Sequence, residues 1–160
     1  MRLTKQTNYA VLALIYCATA EPALSRVTDI AARFRISEPF LFKIITPLIE
    51  SGMLESVRGR RGGIRLGRPA HNINLADVVT LTDDSLVLFE EVAAGGDIRR
   101  EMTGGYADAL DGALAAFLAV LGQYSIADLA RNEGLRTLLG LNEPSVTPSL
   151  LSFRRRPKPA

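Results

Sequence analysis

Apolar positions in the first fifty residues recur at helical spacing. Thr4 to Ala20 is apolar nearly all round from Tyr9 and predicts a buried helix. Glu21-Pro22 ends it, because the residue before a proline avoids the helical region. Val27 to Phe34 predicts a short second helix, with Ile30, Ala31 and Phe34 on one face. Arg35-Ile36 is a tight connection, and Ser37 is a natural N-cap for a third helix, Glu38 to Ser51. Pro39 falls in its first turn, where a missing N–H costs little. At about 100° per residue, Phe40, Leu41, Ile44, Ile45 and Leu48 form one face of this helix. Pro39, Phe42, Lys43 and Thr46 form the other, solvent-facing one. Pro47 removes a hydrogen bond to Lys43 and predicts a kink; Gly52 stops the helix.

The period then changes. Met53 to Val57 and Ile64 to Leu66 are strand-like, and Arg58-Gly59-Arg60-Arg61-Gly62-Gly63 between them reads as a hairpin tip. Asn74 caps a fourth helix, Leu75 to Leu81. Residues 83–105 are weakly patterned and are expected to form a loop, with one strand near Leu86–Phe89. A long helix is expected from Tyr106 to Tyr124. Its Leu110, Leu114, Phe117, Leu121 and Tyr124 alternate in spacings of four and three, a 3.5-residue seam. Ile126 to Arg131 reads as a last short helix, and 132–160 as a partly disordered tail ending in Arg154-Arg155-Arg156-Pro157. The expected fold is therefore mostly α with a small β-hairpin wing. Residues 1–82 are a winged helix-turn-helix, and 106–131 a dimerisation helix with its short successor.

At 160 residues and 48% hydrophobic, the chain is expected to be one domain, or one domain with an appended dimerisation element, with a real core. The net charge of +2 hides an asymmetry. Residues 1–70 hold eleven Lys/Arg against five Asp/Glu, and the remainder eight against twelve. A polyanion partner is expected for the first half alone. Cys17 is the single cysteine, so there is no internal disulfide and no multi-cysteine metal centre within one chain. Its apolar neighbours mark it as a small core hydrophobe. His71 is the single histidine. A Ser/His/Asp or Cys/His catalytic arrangement has little to be built from, and the glycine-arginine tip lacks the Lys-Ser/Thr of a phosphate-binding P-loop. No apolar run approaches the ~20 residues that span a bilayer. A soluble, cytoplasmic, non-enzymatic protein without membrane contact is expected.

Helix, helix, tight turn, helix and basic hairpin suit DNA. A helix fits the major groove while a basic hairpin tip reaches the phosphates or the minor groove beside it. Phe42 is an aromatic on an otherwise polar face, and contact with a thymine methyl would account for it. Met1-Arg2-Leu3-Thr4-Lys5, Tyr9-Ala10-Val11, Phe40-Leu41-Phe42-Lys43-Ile44, the wing Val57 to Gly67, Asp77-Val78-Val79 and Gln123-Tyr124-Ser125-Ile126 carry a further signal. Over residues 1–131 the chain resembles the Rrf2 family of bacterial winged-helix regulators, closest to its RirA, IscR and NsrR type.

The resemblance implies a homodimer on a palindromic operator in double-stranded DNA, joined through Leu110, Leu114, Phe117, Leu121 and Tyr124. It places Arg2, Thr4 and Lys5 at phosphates. Ser37, Pro39, Phe42 and Lys43 fall at the major groove, and Arg58, Arg60, Arg61, Gly62 and Gly63 at the minor groove. Cluster-binding members carry three cysteines in the loop before the long helix. This chain has none from Glu90 to Tyr106, where Glu91, Arg100 and Gly104 stand near the equivalent positions. Asp108 or a neighbour stands where some members have a ligating histidine. The expected cofactor is therefore none: Glu90, Glu91 and Asp97 cannot replace soft sulfurs, and His71 with nearby acids is a poor metal site. An effector, if one acts, is a small molecule between the long helix and the DNA-binding domain, or a partner protein. The alternatives are a winged-helix protein–protein module and a non-specific nucleic-acid binder.

Overall fold

Threonine opens the fold. Thr4 Oγ1 accepts the Thr7 amide at 3.1 Å and caps helix α1 (Lys5–Ala20). The computed structural model describes residues 3–86 and 96–138. Ala10, Ala13, Leu14, Ile15 and Cys17 of α1 are buried, so the first helix is the axis on which the rest packs. Helix α2 (Val27–Phe34) ends in a left-handed Arg35, φ 53°. Its amide donates to Ala32 O and that of Ile36 to Ala31 O, closing α2 and reversing the chain. Ser37 then caps α3 (Glu38–Glu50), its Oγ accepting the Phe40 amide at 3.4 Å. Helix α3 continues through Pro47, and Thr46 Oγ1 donates to Phe42 O at 2.8 Å. Leu41, Ile44, Ile45 and Leu48 are buried, and Phe40 meets Tyr9 edge-on at 5.9 Å. Gly52, φ 73°, ends the helix as expected.

Strands β1 (Leu54–Val57) and β2 (Gly63–Leu66) pair antiparallel, Leu54 opposite Leu66 and Val57 opposite Gly63. The pleat turns Leu54, Ile64 and Leu66 inward. It leaves Glu55 and Arg65 outside as a 2.9 Å ion pair, half exposed and so worth little. A third segment joins them: Ser25 N donates to Ile64 O at 2.9 Å, and Ile64 N to Ser25 O at 2.8 Å. The wing is thereby tied to the linker that precedes α2. A Cβ on Gly63 would lie 2.6 Å from Ser25 O, so this pairing needs glycine.

Helix α4 (Leu75–Thr82) is capped by Asn74, which accepts the Asp77 amide at 2.9 Å, and packs on α1 and α3. A 3-10 turn, Asp84–Leu86, follows. Beyond the undescribed segment come α5 (Gly96–Leu121), α6 (Ile126–Ala130) and α7 (Glu133–Leu138). Ser125 and Asp128 form a reciprocal capping box for α6. Leu75 N donates to Tyr124 O at 2.9 Å and Ile126 N to Ile73 O at 2.8 Å. These bonds, and the fully buried Ile126, return the chain to α1.

Three expectations change. The long helix begins at Gly96, ten residues before Tyr106, and ends at Leu121, so Tyr124 lies in the following turn. The Arg99-Arg100-Glu101-Met102 run favours helix. The glycine pair Gly104-Gly105 costs about 1 kcal/mol per residue relative to alanine, too little to break a helix with long flanks. Leu86 belongs to a 3-10 turn, not to a strand; residues 87–89 lie outside the described residues. Glu133–Leu138 is helical where a tail was expected, and residues 139–160 lie outside the described ones.

Two outcomes follow from this packing. Gly63→Ala should cost about 1–3 kcal/mol, because the added carbon forces β2 off Ser25; unchanged urea unfolding would refute the wing anchor. Cys17 is 1% exposed, and burial pushes its thiol up to about 12. The unfolded thiol ionises near 9 while the folded one keeps its proton, so stability should decline as pH rises from about 9 towards 12. That excess decline should vanish in Cys17→Ala, and native protein should resist iodoacetamide until unfolded.

Candidate nucleic-acid interface

The buried stripe of α3 fixes what its opposite face presents. With Leu41, Ile44 and Ile45 inside, Pro39, Phe42, Lys43 and Thr46 are exposed. Phe42 is 49% exposed, one of few large apolar side chains the described residues leave open. Ser37 is exposed too, with its hydroxyl engaged as the cap of α3.

The hairpin tip carries Arg58, Arg60 and Arg61, all exposed. Gly59 adopts φ 119°, and Gly62 N donates to Gly59 O at 2.8 Å, which closes the tip. A Cβ on Gly62 would collide with the Val57 carbonyl. Gly62 and Gly63 are thus required by backbone packing at the base of the tip. The free and the paired cations separate cleanly. Arg65 is held by Glu55 and Arg68 by Asp77 at 3.8 Å. Among the described residues, no carboxylate engages Lys5, Lys43, Arg58, Arg60 or Arg61. Unpaired guanidinium and ammonium groups in this arrangement can take phosphate oxygens or enter a groove.

At the start of α1, Lys5 is exposed and Thr4 half-buried. Thr4 N donates to Asp83 Oδ2 at 2.8 Å, and Thr7 Oγ1 donates to the same oxygen at 3.1 Å. Arg2 lies outside the described residues. Two residues escaped the sequence reading. Arg26 is exposed and follows Ser25 directly, so the strand pairing brings it beside the wing. Asp83 is a 2% exposed carboxylate past the expected end of the fourth helix. Both depend on partners far along the chain, and periodicity carries no trace of them.

Of the seam residues, Leu110, Leu114, Phe117 and Leu121 are half-buried, with α5 packed on α4. Tyr124 is 49%, Val120 54% and Tyr106 63% exposed, and Ala109, Ala113 and Ala116 are open as well. A cleft of about 460 Å³ lies where the α5–α6 turn meets the segment before α4, lined by His71, Asn72, Gln123, Asp128 and Arg131 among others. Hydrogen bonds from Ser125 hold the Asp128 carboxyl below its ordinary range. Glu90 and Glu91 lie outside the described residues, as does the side chain of Asp97. Among the described residues no three His, Cys, Asp or Glu side chains gather as metal ligands. The donor set does not fit an iron–sulfur cluster, because the one thiol of the chain is enclosed in the core.

A family profile described as "Rrf2: Iron-dependent Transcriptional regulator" matches residues 3–132. Protein aau3 of Rhizobium meliloti (strain 1021) is 50% identical over 146 residues, covering 90% of this chain and 95% of that one. The HTH-type transcriptional regulator NsrR of Bacillus subtilis (strain 168) is 38% identical over 146 residues, covering 89% and 100%. CymR (YrzC), the global cysteine regulator of B. subtilis, superposes with a TM-score of 0.62 at 23% identity, over 81% of this chain and 96% of its own. T. potens IscR does so with 0.62 at 22% identity, over 83% and 88%. Among the described residues no helix is long and apolar enough to cross a membrane. An α3 face aimed at solvent beside a basic wing, and a profile match over most of the chain, agree: this chain belongs to the Rrf2 family of winged-helix, DNA-binding transcriptional regulators and is not an enzyme.

Proposed function

We propose that the chain is a sequence-specific repressor that binds a palindromic operator as a homodimer in the cytoplasm, and that it works without an iron–sulfur cluster. The observation that carries this reading is the exposed Pro39–Phe42–Lys43 face of α3, with the unpaired Arg58, Arg60 and Arg61 on the adjoining wing. In this reading α3 enters the major groove. Phe42 packs on a thymine methyl and Lys43 reaches a base edge or a phosphate. The wing lays its arginines in the neighbouring minor groove, where a narrow groove concentrates negative potential. Lys5 holds a backbone phosphate, which sets register without reading sequence.

Two copies joined through α5 would place two such faces on one palindrome. The half-buried state of Leu110, Leu114, Phe117 and Leu121 and the exposure of Tyr106, Val120 and Tyr124 support a partner helix there. The profile's "iron-dependent" description does not transfer, because cluster iron needs several thiolates and a homodimer would supply two, both inside helix α1. The 460 Å³ cleft beside Gln123 is where a small-molecule effector would sit between the long helix and the DNA-binding domain.

Selection of bound sequences from a random duplex pool, then salt titrations on operator and random DNA, tests the whole reading. A specific regulator keeps an affinity ratio of roughly 10³ or more, whereas a ratio near unity marks a non-specific binder. Arg58→Ala should cost about 1–3 kcal/mol on the operator and relax selection at the base pairs under the wing. Sedimentation at micromolar concentration should give a dimer; a monomer overturns the α5 interface. Anaerobically purified protein should be colourless and sulfide-free while still binding its operator, and stoichiometric sulfide would refute the cluster-free reading.

A further inference from the structure

The first turn of α1 carries more hydrogen bonding than a helix start needs. Thr4 Oγ1 already caps the helix by accepting the Thr7 amide. Yet the two threonine hydroxyls also touch, Thr4 Oγ1 to Thr7 Oγ1 at 2.8 Å. Thr7 Oγ1 lies 3.2 Å from Thr82 O as well as 3.1 Å from Asp83 Oδ2. One hydroxyl has one proton. The consistent assignment is that Thr4 donates to Thr7, and Thr7 donates towards the Asp83 carboxylate and the adjacent carbonyl. The Thr4 amide donates to the same Asp83 oxygen, Oδ2, at 2.8 Å. The whole group is buried or half-buried: Thr7 is 0% and Asp83 2% exposed. A carboxylate in such a place is costly unless donors converge on it, so its position is over-determined by the donors it has.

This group joins residues 79 apart in sequence, the end of α4 and the beginning of α1. A helix start without such a tie frays. Thr4 turns its amide and hydroxyl inward, which leaves Lys5, the next residue, as the exposed cation of this turn. We propose that Asp83 is the positioning residue of the N-terminal DNA contact: by fixing Thr4 and Thr7 to the end of α4, it holds Lys5 against a backbone phosphate. Asp83 then acts on DNA through Thr4, Thr7 and Lys5, with the two threonines as the clasp. The proposal rests on the DNA-binding reading above and adds to it a residue that touches no DNA.

The test uses a random-sequence duplex, because a phosphate contact is blind to sequence. Affinity is measured at several salt concentrations for the wild type, Lys5→Ala, Asp83→Asn, Thr7→Val and the Lys5→Ala/Asp83→Asn double variant. Lys5→Ala and Asp83→Asn should each weaken binding by about three- to tenfold and lower the salt slope by about one. The double variant should be no worse than either single one, the signature of one shared contact. If Asp83→Asn does not fold, Thr7→Val carries the same comparison, since it removes a donor and keeps the shape. A folded Asp83 or Thr7 variant with unchanged affinity and slope overturns the proposal. So does a loss that adds in full to that of Lys5→Ala, which would mark a purely structural carboxylate. If Lys5→Ala alone changes nothing, the N-terminal contact is absent and the proposal falls with it. Arg58→Ala would still report on the wing, so that failure is distinct from failure of the DNA-binding reading.

Discussion

Burial of α1 is the constraint from which the other placements follow. The helix is enclosed by α3, α4, α6 and β2, and Ala10, Ala13, Leu14, Ile15 and Cys17 leave almost no surface on its inner side. Small residues at 10 and 13 let neighbouring elements approach closely, and interiors packed at this density transmit displacement instead of absorbing it. The inner stripe of α3 must therefore face α1, and its outer stripe has no choice but solvent. Exposure of Phe42 and Lys43 is the reverse side of burying Leu41, Ile44 and Ile45.

The wing and the N-terminus are held by different means. Neither has enough apolar area of its own, so each is tied by hydrogen bonds to a distant segment. Ser25 and Ile64 exchange two backbone bonds, and Gly63 permits the approach. Thr4 and Thr7 converge on Asp83. Both ties are sheltered from water, where a hydrogen bond is stronger and its loss leaves a desolvated group unpaired. A basic tip and a basic N-terminal turn, mobile if left alone, are thus presented in fixed relation to α3.

Charge is arranged to the same end. Arg65 and Arg68 are neutralised by Glu55 and Asp77, while no carboxylate among the described residues engages the cations at the wing tip, on α3 or at Lys5. A cation without a carboxylate partner attracts a polyanion more strongly than one already neutralised. The single cysteine shows the opposite treatment. It has been taken into the core, where its thiol is held protonated and out of reach of metals and oxidants.

Much of this was determined by the sequence alone. Periodicity placed α1 to α4, Ser37 and Asn74 announced their caps, Gly52 its stop, and the arginine-glycine run its hairpin. These are local effects, set by neighbours three or four residues away, and so they can be read from a short window. The start of α5 could not be read this way. Propensity around Gly104-Gly105 was nearly balanced, and a long helix carries small local penalties that a short window overweights. The role of Asp83, the anchoring of the wing by Ser25 and the proximity of Arg26 to that wing were decided only by tertiary structure. Each depends on atoms tens of residues apart, brought together by burial of the apolar helix α1.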